Sequence, residues 1–574
     1  MGQKTVSVET AAQAYLELLA ERGIDYFFAN PGTDFAPLID ALARRAASGC
    51  HFPRPVLVPH ENVAMAMAHG YYQVTGKPQA VMVHVNVGTA NALNGIINAA
   101  RDQVPILLCA GRTPLTEQGE HGCRDLYIHW SQECFDQAGM VREFVKWDYE
   151  LRSAAQLETV LDRALELAMA QPRGPVYLTL PREVLAQPLL SFSMASPSRH
   201  NSAGRLHPDP ESIVTAAKML AAAQHPLIIT GSSGRNPESV GHLVALAESF
   251  AIPVVTFNPR YLCFPTDHPL HLGFSPDPFL DQADLVLVVD CNVPWYPDHK
   301  KPGEGCKVIQ LAVDPFYGDL PIRGFPCDLA LQGDSALALP LLQQELGVHR
   351  TKAAACIAER RARLEVTHRK QRDGWRGGLE RAADRAPLDP VWVSHCIDQV
   401  KDDDTLVFNE YDLDPTQVSF NRPGTFFGNP SAGGLGWGLG AALGAKLAAP
   451  GQTVISTLGD GSYLFGNPTP CHWVSRSLGA PTLTIVFNNG CYNAVRLANL
   501  RMYPEGWGAR GGKQLLSAME PSPRFEMLVG ACGGYGERVE RPDQVVPALE
   551  RGLKAVRQEG RPALLNMICR LPGS

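Results

Sequence analysis

Short apolar runs that alternate with helix-like segments are the feature that most restricts the fold of this chain. Near the start, an amphipathic helix that ends at Gly23 leads to an apolar strand over residues 26–29, which runs into the turn Asn30-Pro31-Gly32-Thr33. Continuous apolar strands that alternate with helices are typical of parallel sheets covered by helices on both faces. The pattern therefore predicts an α/β protein built from doubly wound parallel sheets.

The same alternation occurs in three consecutive stretches, and 574 residues are too many for a single hydrophobic core. We predict domains over 1–190, 205–347 and 388–574. The break after the first domain is rich in Ser and Pro, and the Arg-rich linker 348–387 is interpreted as a solvated helix. The first and third domains share a weak internal similarity, which indicates two sister domains on either side of a different one.

Composition excludes several classes of function. The 51 basic and 58 acidic residues give a net charge of −7, so nothing in the overall charge favours nucleic acid or an anionic membrane as a partner. Fourteen cysteines without a C-x-x-C pair indicate reduced thiols. The chain shows neither a signal-peptide pattern nor an apolar run of the roughly 18 residues that a membrane span needs. We therefore expect a soluble, cytoplasmic protein.

The most informative motif is Gly459-Asp460-Gly461-Ser462, followed by Asn488-Asn489. Each follows an apolar strand (454–458 and 483–487), and neighbouring parallel strands would bring a carboxylate and an amide oxygen together. Such hard oxygen ligands suit Mg²⁺, which keeps water and phosphate oxygens as its other ligands. Gly459 and Gly461 would let the backbone approach a diphosphate, to which Ser462 could donate. Either motif alone is common turn chemistry, but their combination predicts a metal–diphosphate site.

These motifs, with the preceding Gly-rich segment GGLGWGLGAALGAKLA, resemble the thiamine diphosphate-dependent enzymes of the pyruvate decarboxylase, benzoylformate decarboxylase and acetolactate synthase group. The resemblance covers nearly the whole chain. It implies a pyrimidine-binding, a central and a diphosphate-binding domain in that order. It also implies that Asp460, Asn489 and the backbone carbonyl of Cys491 hold Mg²⁺.

The resemblance also implies residues that activate and bend the cofactor. His60-Glu61-Asn62, ahead of a small-residue helix, matches the family's activating Glu, although an isolated Glu there would by default serve the helix dipole. Leu435 matches the apolar residue wedged between the two cofactor rings, and the Gly433 carbonyl matches the acceptor for the aminopyrimidine. In this family the Glu and the diphosphate site come from different subunits, so we expect a homodimer that forms the active site, and tetramers are common among relatives.

The residues that would contact substrate are also inferred from the resemblance. His84, in HVNVGTANALNG, looks like the proton-transfer His of benzoylformate decarboxylases, and a His with a near-neutral pKa suits that role. Thr33 stands where those enzymes have a Ser that binds the substrate carboxylate. Gln132 lies in a segment that resembles acetolactate synthases. His299 is a shifted candidate for the second His of the decarboxylases.

The sequence thus predicts a thiamine diphosphate- and Mg²⁺-dependent lyase that decarboxylates a 2-oxo acid and can also join the resulting aldehyde to another molecule. The alternative is an acetolactate synthase-like transferase that condenses two 2-oxo acids; Gln132 favours it and His84 opposes it. A dinucleotide oxidoreductase is disfavoured because G-x-G-x-x-G is missing from the central domain. Its Gly231–Arg235 turn could hold the ADP moiety of FAD, but we interpret it as structural and do not expect FAD.

Overall fold

The computed structural model describes residues 3–48, 53–196, 203–511 and 515–571. It contains three parallel sheets in chain order, with helices packed against them. This confirms the predicted fold class. The predicted break after Leu190 falls partly on residues 197–202, which lie outside the described residues.

The first sheet has six parallel strands in the order β3-β2-β4-β5-β7-β6. The strands of this region, including the antiparallel pair β1 and β8, are β1 Gln3–Val6, β2 Tyr26–Asn30, β3 Arg54–Leu57, β4 Ala80–Val83, β5 Leu107–Arg112, β6 Asp148–Glu150, β7 Val176–Pro181 and β8 Phe192–Ala195. The helices are α1 Ala11–Glu21, α2 Ala36–Ser48, α3 Glu61–Thr75, α4 Val85–Arg101, α5 Ile128–Ser131, α6 Leu157–Met169 and α7 Arg182–Leu185.

The second sheet has five parallel strands in the order β10-β9-β11-β12-β13. They are β9 Pro226–Thr230, β10 Val254–Thr256, β11 Leu285–Val289, β12 Lys307–Ala312 and β13 Leu329–Gln332. The helices are α8 Pro210–Ala222, α9 Pro237–Phe250, α10 Asp277–Leu280, α11 Ser335–Gly347 and α12 Arg350–Ala382. Buried aliphatic residues of these strands and of α8, α9 and α11 form one continuous core.

The third sheet has six parallel strands in the order β15-β14-β16-β17-β19-β18. They are β14 Leu406–Glu410, β15 Phe426–Gly428, β16 Val454–Gly459, β17 Leu483–Asn488, β18 Tyr535–Val539 and β19 Ala563–Ile568. The helices are α13 Pro390–Val400, α14 Trp437–Ala448, α15 Asp460–Phe465, α16 Pro468–Leu478, α17 Asn493–Met502, α18 Trp507–Gly511, α19 Glu526–Gly530 and α20 Pro542–Arg557.

The chain divides into two compact units. The first comprises residues 1–204, 430–451 and 462–482, and it therefore contains the first sheet together with α14 and α16. The second comprises residues 205–429, 452–461 and 483–574, with the second and third sheets.

Within the first unit, the small-residue helices α3 and α14 pack at very short distance. A Cβ added at Gly70 would lie 2.1 Å from the Ala441 carbonyl oxygen, and one at Gly444 would lie 1.9 Å from the Met67 carbonyl oxygen. Only glycine fits at such approaches, so the small residues of both helices are there to bring the two backbones together. This packing fixes the loop before α14 against the start of the chain.

The Arg-rich linker is a 33-residue helix, α12, most of which is exposed. Its Arg360 is an exception, being only 3% exposed. The guanidinium donates to the Phe250 carbonyl at the end of α9 (2.9 Å) and to the Ala223 carbonyl just past α8 (2.8 Å). A cation at the carboxyl ends of two helices is favourable because it compensates unpaired carbonyls and both helix dipoles.

Candidate active site

Glu61 is the first residue of α3 and is 7% exposed. Its carboxylate turns sideways from the helix: Oε1 accepts from Asn30 Nδ2 (2.9 Å) at the end of β2, and Oε2 accepts from Asn91 Nδ2 (2.5 Å) on α4. A helix-capping role would not need amides from two other elements. The geometry therefore favours a carboxylate that is held in a defined orientation.

One face of α4 holds the main chain of the loop that precedes α14. Asn94 Nδ2 donates to the Leu435 carbonyl (3.1 Å), and Asn98 both donates to the Gly434 carbonyl (2.8 Å) and accepts from the Gly434 amide (3.0 Å). One turn further, Asp102 Oδ1 accepts from the backbone N–H of Ser431 (2.9 Å). Residues four apart share a helix face, so these three side chains form one row, the α4 ladder.

The α4 ladder leaves the side chain of Leu435, the residue expected between the two cofactor rings, accessible. A Cβ at Gly434 would lie 2.6 Å from Asn94 Oδ1, which explains the glycine there. Gly433 and Gly436 have φ of +66° and +82°, in the region that favours glycine. Leu435 itself is partly exposed, which favours a contact with a ligand over simple core packing.

His84 lies between β4 and α4 and contacts a buried carboxylate that the sequence did not point to. Its Nδ1 is 2.5 Å from Oδ1 of Asp34, which is 2% exposed. Partial burial alone would lower the pKa of His84, but the hydrogen bond and charge of Asp34, together with the charge of Glu61, outweigh it, so the pKa is raised above 6.5. The environment of His84 therefore favours the protonated imidazole.

Two glycines make room for this pair. A Cβ at Gly32 would lie 2.1 Å from His84 Nδ1, and one at Gly111 would lie 1.7 Å from Asp34 Oδ2. Neither glycine has a positive φ, so their role is space rather than backbone freedom. The next residue, Val85, has φ +34°, an unfavourable conformation for a β-branched residue, and its N–H points to Asp34 Oδ2 at 3.4 Å.

Thr33 lies beside a second histidine, His129. The Nδ1 atom of His129 accepts from the backbone N–H groups of Asp125 (3.2 Å) and Leu126 (3.3 Å), so its hydrogen is on Nε2. Nε2 is 3.4 Å from Thr33 Oγ1 and can donate to it. The hydrogen of the Thr33 hydroxyl is then free to donate to a substrate oxygen.

The two histidines have opposite pKa shifts. Burial, helped by the charges of Arg182, Arg124 and His84 and opposed by Asp125, lowers the pKa of His129. The two environments therefore favour a neutral His129 beside a charged His84, and pKa values separated in this way suit different roles in proton transfer. Gln132 completes the group, with Nε2 3.4 Å from His84 Nε2.

The predicted metal ligands lie in the second unit. Asp460, 2% exposed, begins α15 directly after β16; Oδ1 accepts from the Gly461 N–H (2.8 Å) and Oδ2 from the Gly490 N–H (2.7 Å). Burial raises the pKa of Asp460 to about 6, against the opposing effect of backbone N–H groups in the turns after β16 and β17. A Cβ at Gly461 would meet the Tyr492 ring at 2.4 Å, so that glycine also has a packing reason.

The two consecutive asparagines have different environments. Asn488 is 3% exposed and donates to Asn566 Oδ1 and to Ser522 Oγ, both at 3.0 Å. Asn489 is partly exposed, and its Oδ1 accepts only a local hydrogen bond from the Cys491 N–H (3.0 Å). Asn489 is therefore the amide that could serve a ligand, as the sequence predicts.

A second carboxylate stands beside the predicted metal site. Asp412 Oδ2 lies 2.9 Å from where a Cβ at Gly459 would be, and burial with the charge of Asp460 raises the pKa of Asp412 to about 6. Among the described residues, neither carboxylate forms an ion pair with Lys or Arg. A buried carboxylate, Asp460, and a partly exposed one, Asp412, are oxygen donors of the kind that fits Mg²⁺.

That donor set relies on few side chains. In the described ranges, no group of three or more His, Cys, Asp or Glu is arranged to hold a metal. A cation here would need the Asn489 amide, the Cys491 carbonyl and phosphate oxygens in addition to Asp460. This is the arrangement expected of Mg²⁺ bound with a diphosphate rather than of an all-protein cage.

The environments of the other sequence candidates are explained by solvent exposure or by packing. His299 is exposed on a loop of the central domain and contacts the Tyr296 ring edge-on. A Cβ at Gly234 would lie 2.0 Å from the Leu262 carbonyl oxygen, so the glycine of the Gly231–Arg235 turn is explained by packing. Three large aromatic side chains, Trp295, Trp437 and Tyr463, are 2% exposed or less and belong to the interior.

Sequence reasoning missed Asn30, Asp34, Asn91 and His129, and it also missed Asp412 and the residues of the α4 ladder. Asn91 could have been found, because a helix with polar residues at 91, 94, 98 and 102 has one polar face in an otherwise apolar pattern. Asp34 and His129 carry no such signal, since their partners are 50 and 96 residues away.

Family models match most of the chain. The N-terminal binding domain of the thiamine pyrophosphate enzymes (thiamine pyrophosphate being thiamine diphosphate) matches residues 9–140, the central domain 213–342 and the C-terminal binding domain 413–567. The chain therefore belongs to the thiamine pyrophosphate enzyme family, which confirms the resemblance.

Relatives within the family narrow the type of chemistry. A benzoylformate decarboxylase of Pseudomonas aeruginosa is 29% identical, covering 85% of this chain and 88% of its own length. A probable 2-ketoarginine decarboxylase of the same species is 30% identical (96% and 92%), and an acetolactate synthase of Mycobacterium bovis is 26% identical (94% and 85%). A Rhodococcus jostii 4-hydroxybenzoylformate decarboxylase structure has a TM-score of 0.77 at 23% identity, covering 98% of this chain and 100% of its own. The chain is thus a thiamine diphosphate-dependent enzyme related to carbon–carbon lyases.

Across the described residues, no helix combines the length and apolar character that a membrane crossing requires.

Proposed function

We propose that this enzyme decarboxylates a 2-oxo acid without oxidation, using thiamine diphosphate and Mg²⁺. The 2-oxo acid anion and one proton would give an aldehyde and CO₂. The observation that carries the proposal is the combination, in one compact unit, of the carboxylate of Glu61, the charged His84 and the loop at Leu435 held by the α4 ladder.

When bound, thiamine diphosphate supplies a thiazolium carbon that adds to the keto carbon and accepts the electron pair released with CO₂. Glu61 would hydrogen-bond the pyrimidine ring and Leu435 would keep the two rings close, with the Gly433 carbonyl accepting from the amino group. Asp460, Asn489 and the Cys491 carbonyl would hold Mg²⁺. Gly459, Gly461 and Ser462 would face the diphosphate.

The chain's own polar groups would then direct the proton. Thr33 would bind the substrate carboxylate through its free hydroxyl hydrogen. His84 would deliver the proton to the carbon that has lost CO₂ and regain one from solvent. Gln132 and His299 are proposed to line the substrate region, with His299 the weaker of the two because of its exposure.

The test is CO₂ release by the Glu61→Gln variant on a panel of 2-oxo acids. The panel contains an aromatic, a guanidinium-bearing and a short aliphatic 2-oxo acid, so that it samples different types of substrate side chain. We expect loss of CO₂ release in the variant. Glu211→Gln is the matched control, since Glu211 is an exposed first-turn Glu of α8 whose loss should leave activity unchanged. Wild-type activity in Glu61→Gln would refute the mechanism.

The second candidate is a transferase that condenses two 2-oxo acids. It is favoured by the position of Gln132 beside His84 and by the acetolactate synthase relatives. Product analysis with pyruvate alone separates the two, because a lyase gives acetaldehyde and a synthase gives acetolactate.

We further propose a homodimer that shares the active site, and a tetramer built from it. Every residue of α17 and α18 is at least partly exposed, including Met502 and Trp507, and Tyr503 just past α17 is exposed as well, which supports a protein surface that covers them. Mixing Glu61→Gln with Asp460→Asn chains tests the shared site. If each site takes Glu61 from one chain and Asp460 from the other, mixed dimers regain one intact site; if both come from one chain, no activity returns.

FAD is not expected, and the absorbance spectrum of the purified enzyme would test this, because a bound flavin absorbs visible light. The cysteine pattern predicts a cytoplasmic location.

A further inference from the structure

We propose that Asp34 is the positioning residue of this site: it holds the imidazole of His84 by Nδ1 so that a proton on Nε2 faces Gln132 and the reacting carbon. The inference rests on the proposed function for its consequence in catalysis, but the pair itself rests only on the geometry of the chain. Asp34 would not touch the substrate; it would act through His84.

The first support is the contact. Asp34 is almost fully buried, and its Oδ1 lies 2.5 Å from His84 Nδ1, so the ring nitrogen must carry a hydrogen that it donates to the carboxylate. That hydrogen bond also fixes the rotation of the ring. The other nitrogen, Nε2, is then the one available for proton transfer.

The second support comes from Gln132. Its Oε1 is buried without a hydrogen-bond partner, while its Nε2 lies 3.4 Å from His84 Nε2. An amide keeps its shape when turned by a half rotation, so Oε1 can take the place of Nε2 and accept from a protonated His84. In that orientation the charged ring of His84 has an acceptor on each side, Asp34 at Nδ1 and the Gln132 amide oxygen at Nε2.

The third support is the space that the chain reserves for the pair. Gly32 lies directly against the His84 ring, and Gly111 lies directly against the Asp34 carboxylate, each too close for any Cβ. Two separate strand ends are therefore restricted to glycine by one carboxylate–imidazole pair. A residue whose only role was to cap the start of α4 would not need both.

The charged and titratable groups that face His84 are few. Asp34 lies in the turn after β2, Glu61 at the start of α3, and His129 in α5. Both carboxylates favour the charged imidazole and neutral His129 has little influence on it. Removal of the Asp34 charge should therefore lower the pKa of His84, and Glu61 alone should not restore it.

The experiment measures His84 directly in the cofactor-free, full-length enzyme. Exchange of the imidazole C2 hydrogen with deuterium depends on the charge of the ring, and mass spectrometry of peptides reads it for each His across a pH series. We expect a wild-type midpoint for His84 above 6.5 and a fall of about 1–3 pH units in Asp34→Asn. Asp40→Asn is the control, because Asp40 is exposed on the neighbouring helix α2 and should not move the midpoint.

A kinetic measurement then connects the pair to catalysis. Activity that needs protonated His84 is present below its pKa and lost as pH rises through it, so in Asp34→Asn the alkaline fall of kcat/KM should move to lower pH while KM changes little. An unchanged alkaline limb, with full activity, would overturn the positioning role.

The outcomes remain distinct from those of the proposed function. A wild-type His84 midpoint at or below 6.5 overturns the inference without any variant, which covers the case that Asp34→Asn fails to fold. A raised midpoint that falls in Asp34→Asn supports it even if no 2-oxo acid releases CO₂; that result would sink only the proposed decarboxylation.

Discussion

The α4 ladder gives the sharpest quantitative test of the site. Asn98 is 2% exposed and makes two hydrogen bonds with Gly434, one as donor and one as acceptor. Asn98→Ala removes both partners and leaves the N–H and C=O of Gly434 unpaired. At about 1 kcal/mol net for each bond, and somewhat more where the abandoned group stays shielded from water, the free energy of unfolding should fall by about 2–3 kcal/mol.

The same change should weaken cofactor binding. If about 1.4 kcal/mol of that loss reflects a loop that no longer holds its position, affinity for thiamine diphosphate drops about tenfold. Urea unfolding measures stability, and quenching of tryptophan fluorescence during titration with thiamine diphosphate and Mg²⁺ measures affinity.

The control is Gln156→Ala. Gln156 is an exposed amide at the start of α6, where its side chain caps nothing, so its loss should change neither quantity. If Asn98→Ala matched this control in both measurements, the idea that α4 holds the loop through its main chain would be wrong.

Three further predictions concern other parts of the chain. Gly111→Ala would place a Cβ on the Asp34 carboxylate, so it should lower the melting temperature and also lower the pKa of His84 in the exchange experiment; a neutral effect on both would contradict the packing argument. Arg360→Ala should lower the free energy of unfolding, measured in urea, by about 3 kcal/mol, because two buried charged hydrogen bonds to helix ends are lost. A change below about 0.5 kcal/mol would show that water replaces Arg360 as the donor to those carbonyls. Burial lowers the pKa of His69 and His472 to about 4 and that of His271 to about 3. Between about pH 6.5 and 4 the unfolded chain then binds more protons than the folded one, so the urea midpoint should decrease as the pH is lowered through that range. A midpoint that does not change with pH would count against burial of these rings.

The sequence predicted the order of strands and helices because buried parallel strands are continuous apolar runs. Each of the strands predicted over 26–29, 454–458 and 483–487 continues one residue further, to Asn30, Gly459 and Asn488. The added residue is polar or glycine in each case, so hydropathy gives no signal for it.

Residues of the candidate site could be placed together from the sequence only where each directly follows a strand and carries a motif of its own. Asp460 and Asn489 follow adjacent strands, so their proximity follows from the parallel sheet. Asp34 and His84 also follow paired strands, β2 and β4, yet an Asp after a Gly-Thr turn is common and gives no signal of its own. His129 lies in a short helix outside the sheet, and no periodic pattern places it beside Thr33.

The α4 ladder also bears on how this enzyme could be altered. Asn94, Asn98 and Asp102 recognise peptide groups and one serine hydroxyl, so they constrain the course of the backbone and leave the identity of the Leu435 side chain open. Libraries at residue 435 should thus sample new reactant shapes on an unchanged scaffold, which makes that position a natural starting point for redesigning selectivity.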